Sequence, residues 1–391
     1  MSAAPTIALV AGEASGDLLG SRLIDALRRH LPDASFVGIG GPRMAAAGLE
    51  VWFAQERLAV RGFVEVLAHL RDLFAIRRAL VARLRSQRPS LFVGIDSPDF
   101  NLGVERRLRS VGIATAHLVS PTVWAWRRGR IRAIRKAVDH MLVLLPFEAA
   151  IYDSAGVSAT YIGHPLADEI PLESDPGAAR EALRLPQQAP VIAVLPGSRQ
   201  SEIHQMAPIF IETARLVLER LPDARFLVPL ATRETRELFE GEVYRLGARD
   251  LPLALLFGHA QEALAACDVA LAASGTVTLE AALVGRPMVI AYRVAPLSHR
   301  IAMSLVHVEH MGLPNLLAGE SVVPEFLQDE ASPVNLSQAL VNLFEDETVR
   351  AAVQARFTDL HRLLRRNAAE TAARALLPLV TEEARRERLP V

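Results

Sequence analysis

The stretch LFVGIDSPDFNLGVERRLRSV, residues 91–111, decides the fold. Leu91–Ile95 is a short continuous apolar run, the pattern of a strand buried on both faces. Aspartate, serine and proline then break the run, and from Leu102 to Val111 apolar residues recur at helical spacing. Strand, polar turn and helix in that order form the repeating unit of a parallel α/β sheet.

Working outward, Thr6–Ala11, Ser35–Ile39, Ala114–Val119 and His140–Leu144 have the same strand character, and Leu18–His30 supplies a helix after the first. The pattern then restarts with Val191–Leu195, Arg225–Pro229, Leu253–Phe257, Val269–Ala272 and Met288–Ala291. Between the two sets, Ile162–Pro186 is rich in turn formers and charge, as a linker is. The expected fold class is therefore α/β, with two Rossmann-like doubly wound domains facing a cleft. Residues 1–165 form the first domain, 166–345 the second, and the helical segment 346–391 packs back on the first. A chain of 391 residues is long for one core, which agrees with two domains.

Composition narrows the function classes. Hydrophobic residues make up 51% and charged residues 22%, a globular balance. A net charge of -1 gives no global pull toward nucleic acid. The single cysteine, Cys267, excludes an internal disulfide and a cysteine zinc cluster, and its apolar setting is that of a small buried hydrophobe. The N-terminus lacks a secretory signal, and no run approaches the roughly 18 apolar residues of a membrane span. The expected location is cytoplasmic, with peripheral attachment to a membrane left open.

In doubly wound sheets ligands bind just outside the carboxyl ends of the strands, so the loops there carry the chemistry. AGEASGDLLG, residues 11–20, offers Gly12 and Gly16 for a tight turn and sets Glu13, Ser15 and Asp17 beside it. A glycine turn capped by Ser15 or Asp17 explains it equally well. The loop is neither a P-loop nor GxGxxG, so ATP and dinucleotides are not favoured. GIGGPRMAAAG, residues 38–48, is a weaker signal of the same kind.

IDSPDFN, residues 95–101, places Asp96, Asp99 and Asn101 at a strand's carboxyl end. A carboxylate there can take the proton of an attacking sugar hydroxyl, while helix capping by Asp99 is the structural alternative. SPTVWAWR, residues 120–127, holds two of the three tryptophans, Trp124 and Trp126, which suit sugar rings and acyl chains or the core. In the second half, LPGSRQSE sets Gly197, Ser198 and Arg199 at a helix start, a combination suited to a diphosphate. ASGTVTLEAAL repeats the plan with Ser274, Gly275 and Thr276, and Glu280 one turn on can accept from ribose hydroxyls. With no DxD and no metal-spaced His/Asp cluster, no metal and no cofactor are expected, and Arg199 with helix N-termini neutralises the leaving group. His164, at the hinge, is read as structural.

Taken together, AGEASGD, FVGIGGPRM, FVGIDSPDFN, SPTVWAWR, LPFE, GHPL, LPGSR, ASGT with Glu280, PMVIAYR and LPNLLAG resemble the lipid-A-disaccharide synthase family. They run in order over most of the chain. The resemblance implies a glycosyltransferase B fold and an inverting hexosyltransferase that joins UDP-2,3-diacylglucosamine to 2,3-diacylglucosamine 1-phosphate, releasing UDP. It also implies Asp96 as the essential aspartate, with Glu13 on the acceptor side and Asp99 a competitor. Arg199, Ser274, Gly275, Thr276 and Glu280 match its UDP loops, Asn315 its cleft asparagine.

Rival readings are a UDP-N-acetylglucosamine 2-epimerase or another UDP-sugar enzyme, and a nonenzymatic nucleotide-sugar or lipid-binding module. Phe63, Leu67, Leu70, Phe74, Val81 and Leu84 form an apolar helical stripe ringed by Arg71, Arg77, Arg78, Arg83 and Arg85. That stripe suits an anionic membrane surface, or simply the face of a helix lying on the sheet. The long helical tail is compatible with a homodimer.

Overall fold

The computed structural model describes residues 4–58, 66–124, 129–293 and 310–380. The chain divides into two compact units, the first running to Asp168 and resuming at Leu364, the second spanning Glu169–Leu363.

The first unit is built on seven strands: β1 (Thr6–Ala11), β2 (Ser35–Gly40), β3 (Leu49–Ala54), β4 (Leu91–Ile95), β5 (Ala114–Leu118), β6 (His140–Val143) and β7 (Ser158–Tyr161). They pair in the order β3-β2-β1-β4-β5-β6-β7, each pair parallel. Burial on both faces explains the unbroken apolar runs. Along β1, Ile7, Leu9 and Ala11 enter one core cluster with helices Ala14–His30 and Ala368–Val380, while Ala8 and Val10 enter another on the opposite face.

The edge strands β3 and β7 escaped the sequence reading because their exposed positions break the apolar run. The returning chain is tied down by hydrogen bonds. His164 N donates to Leu364 O at 2.9 Å, and the Asp168 carboxylate accepts from Asn367 N at 2.8 Å and Ala368 N at 2.6 Å, capping the last helix. Burial pushes the His164 imidazole down to about 4, so it is neutral in this joint.

The second unit has six strands: β8 (Val191–Leu195), β9 (Arg225–Leu230), β10 (Leu253–Phe257), β11 (Val269–Ala273), β12 (Met288–Tyr292) and β13 (Glu325–Leu327). Their order is β10-β9-β8-β11-β12-β13, again parallel throughout. One face is packed by helices Gln200–Arg220 and Pro333–Glu345. Cys267 is buried, and loss of solvation pushes its thiol up to about 12, as befits a core hydrophobe. Each sheet reverses its strand order once, between β1 and β4 and between β8 and β11, and an α/β sheet opens for ligands at such a point.

The apolar stripe of the basic helix divides. In helix Val66–Gln87, Ile76, Leu80, Val81 and Leu84 are buried against the sheet, whereas Phe74 is 55% exposed. Val81 and Leu84 therefore belong to the core-facing side: at about 100° per residue Leu84 stands roughly a quarter turn from Phe74, and Val81, only about 20° away, marks the edge of that side. Phe63 lies outside the described residues. Among the described residues no helix is long and apolar enough to cross a membrane. Leu80→Ala is expected to destabilise the first unit by about 2–5 kcal/mol in urea unfolding, and Phe74→Ser to change it by no more than about 0.5 kcal/mol. Equal costs would contradict this division of the helix.

Candidate active site

The loops after β1 and β4 meet where the first sheet reverses. A Cβ on Gly12 would stand 2.5 Å from Ser97 Oγ, so glycine lets the two loops touch. Glu13 is the exposed N-cap residue of helix Ala14–His30, without a side-chain cap bond, and Ser15 beside it is also exposed. Gly16 is buried, its position for a Cβ only 3.2 Å from Ala11 Cβ. Asp17 turns inward and accepts from the amides of Gly41, Arg43 and Met44 at 2.8, 3.0 and 2.9 Å. It thereby anchors the glycine-rich loop after β2, and its helix placement explains why it does not join Glu13.

Asp96 is half-buried and, with Ser97, adopts the left-handed region, with φ of 51° and 45°. Two consecutive non-glycine residues there are a costly arrangement. Asp99 does not share the position. It sits in the first turn of helix Pro98–Arg109, is largely exposed, and is ion-paired to Arg130. Asn101 is completely buried and hydrogen-bonded to main chain, so it lines no open surface.

Trp124 is half-buried. Its indole N–H donates to Glu148 Oε1 at 3.2 Å, and its ring meets Phe147 edge-on with centroids 5.4 Å apart. Trp126 lies outside the described residues. Glu148, in the LPFE segment, also accepts Leu145 N at 3.0 Å and is 3% exposed. Burial pushes its carboxyl up from 4.5 to about 7, partly opposed by these hydrogen bonds.

At the reversal of the second sheet a cavity of about 460 Å³ is lined by Gly197, Ser198, Arg199, Ser274, Gly275, Thr276 and Glu280. All seven donor-site candidates thus share one cavity. Gly197 has φ of +118°, which side-chain-bearing residues rarely adopt. Burial and the nearby Glu169 raise the Glu280 carboxyl above its ordinary value. Ser274 Oγ donates to Met311 O at 3.1 Å, which fixes its position.

Asn315 does not reach the cavity. It is fully buried, its amide nitrogen on Val323 O and Glu325 at 2.8 and 2.7 Å and its oxygen on the amides of Val322 and Val323. Its work is to close the turn after helix Leu313–Ala318, because a buried amide must spend its donors and acceptor locally.

Two contributors were missed. Tyr292, at the end of β12, lines the same cavity. Glu202 does too, and it accepts Ser198 N at 2.8 Å, Arg199 N at 3.2 Å and an Arg199 guanidinium N–H at 3.2 Å. The spacing of Glu202 three residues after the helix N-cap was a readable capping signal, hidden because arginine is an unusual cap. Among the described residues no group of three or more His, Cys, Asp or Glu could hold a metal ion.

The model of a family described as lipid-A-disaccharide synthetase matches residues 7–376. A lipid-A-disaccharide synthase from Dechloromonas aromatica is 54% identical over 96% of this chain and 99% of its own. Among solved structures, a UDP-GlcNAc 2-epimerase from Neisseria meningitidis bound to UDP-GlcNAc aligns with a TM-score of 0.64 at 11% identity, covering 95% of this chain and 100% of that one. The calicheamicin glycosyltransferase CalG4 aligns with a TM-score of 0.58 at 16% identity over 99% of both chains. At such identities these structures speak for the fold.

Glu148 yields a pH prediction. Its folded pKa is raised, so between about 4.5 and about 7 the folded state holds more proton than the unfolded one, and stability falls as pH rises through that window. Glu148→Gln should remove this slope, and its stability relative to wild type should improve toward the alkaline side. Parallel stability-versus-pH curves for the two proteins would refute the assignment.

Proposed function

The chain belongs to the lipid-A-disaccharide synthase family, and from that premise we propose that Asp96 is the general base and the second-unit cavity the UDP site of its reaction. Membership makes it a hexosyltransferase that joins UDP-2,3-diacylglucosamine to 2,3-diacylglucosamine 1-phosphate in lipid A biosynthesis. In this reading the acceptor's 6-hydroxyl oxygen bonds to the donor's anomeric carbon as the carbon–oxygen bond to UDP breaks. The hydroxyl proton passes to Asp96, and inversion follows from a single displacement. Glu13 lies on the acceptor side, with Trp124 offering an aromatic edge.

One observation carries the donor half of the reading: residues chosen for phosphate and ribose line a single cavity at the switch point of the second sheet. Arg199, with its side chain 79% exposed, supplies fixed positive charge for the departing diphosphate. The amides after Gly275 open helix Thr276–Leu283 and add the positive end of its dipole. Glu280 is the acceptor for the ribose hydroxyls.

We assign the exposed face of helix Val66–Gln87 to an anionic membrane surface, where acylated substrates reside. Phe74 stands between exposed Arg71 and Arg78, and the Arg77 guanidinium lies 4.8 Å from its ring centre. An aromatic flanked by arginines can insert its ring while the cations meet headgroups. The chain then acts at the cytoplasmic face of the membrane.

Mass spectrometry of protein mixed with both substrates and a chelator should detect the tetraacyl disaccharide phosphate and UDP. UDP binding without product would redirect the assignment to another UDP-sugar reaction. Asp96→Ala should lower kcat by about 10²–10⁴-fold with UDP affinity little changed, and undiminished turnover would remove it as base. Arg199→Ala should weaken UDP binding about 10-fold or more, and normal affinity would take it out of the diphosphate site. Phe74→Ser should reduce co-flotation with anionic vesicles, and unchanged flotation would free this face of that role.

A further inference from the structure

The buried polar groups beneath β4 have no part in the scheme above, yet they lie directly under Asp96. Asn101, in the first turn of helix Pro98–Arg109, is completely buried. Its amide nitrogen is 2.8 Å from Asp96 O and 3.3 Å from both Ile95 O and Val10 O. Ile95 ends β4, Asp96 follows it and Val10 is the last residue but one of β1, beside the point where the strand order reverses. The main-chain N–H of Asp96 is tied from the other side, to Leu118 O at 2.8 Å, and Asn101 N closes on Ser97 O at 3.0 Å.

Both polar main-chain groups of Asp96 are thereby fixed while its φ is held at +51°. A left-handed pair outside glycine persists only where its surroundings over-determine it. Here the surroundings are one side-chain amide and one strand carbonyl. The direction of the Asp96 side chain follows from that main-chain conformation.

The helix that carries Asn101 is itself seated for this contact. A Cβ on Gly94 would stand 2.8 Å from Asn101 Cβ and would collide with Glu105 Oε1, so glycine lets the helix press onto β4. One turn further on, Glu105 is fully buried and bonded to His117 Nδ1 at 2.7 Å, and His117 is the β5 partner of Gly94. Two buried polar side chains on one helix face thus hold its register on the sheet.

Stability alone does not account for Asn101. Its Oδ1 is buried with no hydrogen-bond partner, a cost that an apolar side chain would avoid. What the asparagine supplies is the donor to the Asp96 carbonyl.

We propose that Asn101 is a positioning residue for the lipid-A-disaccharide synthase reaction: its amide clamps the left-handed Asp96 main chain and so aims the carboxylate at the acceptor hydroxyl. The inference rests on the reading of Asp96 as base. It removes Asn101 from substrate contact and gives it a role exercised through its neighbour.

The test compares Asn101→Ala, Asn101→Asp and Asp96→Asn in the full chain, with kcat, KM for each substrate, UDP affinity and unfolding followed together. Asn101→Ala should lower kcat about 10- to 100-fold, the scale of a misdirected catalytic group, while KM and UDP affinity stay within about twofold. Asn101→Asp is nearly isosteric. Facing carbonyl oxygens in a buried site, its carboxyl stays protonated, donates one O–H to Asp96 O, and recovers much of the lost kcat at neutral pH. That recovery should fade toward alkaline pH as the new carboxyl ionises, while wild type keeps its profile.

In an Asp96→Asn background, Asn101→Ala should cost nothing further, because both changes disable one device. A folded Asn101→Ala protein with wild-type kcat would overturn the proposal. Equal loss of kcat in the alanine and aspartate variants, at every pH and in proportion to lost stability, would also overturn it. Full activity in Asp96→Asn alone would instead sink the base assignment, a result distinguishable from both.

Discussion

The reversal of strand order in a parallel sheet is the constraint on which the rest of the molecule depends. Neighbouring strands whose crossover helices go to opposite faces leave their carboxyl ends uncovered. In this chain that happens between β1 and β4 and again between β8 and β11. The residues with chemistry to offer are gathered at those two places: Glu13 and Asp96 at one, Arg199 and Ser274–Glu280 at the other. Glycine serves the same purpose at both. Gly12 lets two loops of the first unit touch, and Gly197 takes a backbone conformation that leaves room for Glu202.

The two switch points solve different electrostatic problems. In the second unit the main-chain donors at the loop after β8 are already engaged by the Glu202 carboxylate. An anion that takes those amides must displace a charge-assisted contact, and Glu202 holds one Arg199 N–H as well, so the amides after Gly275 and the remaining Arg199 N–H groups are the donors of least cost. In the first unit the problem is direction. A base must point at one hydroxyl, and a carboxylate on a short side chain is aimed chiefly by its backbone. Asp96 has its main chain fixed on both sides, whereas the charge of Asp99 is met by Arg130 on an exposed flank. This contrast favours Asp96 as base on grounds of orientation.

Much of this was legible in the sequence, for a physical reason. Strands buried on both faces advertise themselves as continuous apolar runs, and the central strands of both sheets were found that way. β3, β7 and β13 were not, since edge or very short strands carry a mixed pattern. The residues that line the second-unit cavity were also readable, because glycine, serine and arginine at a strand-to-helix junction have few other uses there. What could not be read was which polar side chains turn inward. Asp17, Asn101, Glu148 and Asn315 look like ligands in a list of loop residues, yet all are nearly or wholly buried and make their hydrogen bonds to main chain, to a neighbouring tryptophan or to the Glu325 carboxylate. Residue type announces a hydrogen-bonding capacity. Only packing decides whether it faces a ligand or the protein.

The basic helix makes the same point for apolar residues. Its sequence offers one stripe, but Val81 and Leu84 go to the core and Phe74 does not. A helix lying on a sheet needs only one face to be apolar, so apolar character a quarter turn away is surplus to folding. An exposed aromatic between arginines is expensive in water and useful at a lipid surface. The buried side of the helix therefore belongs to the stability of the first unit, and the surplus on its other side is what we propose meets the membrane. With the exposed side meeting a membrane as proposed, changes at Phe74 should act on membrane contact and changes at Leu80 or Leu84 on folding, because the first is exposed and the others are buried.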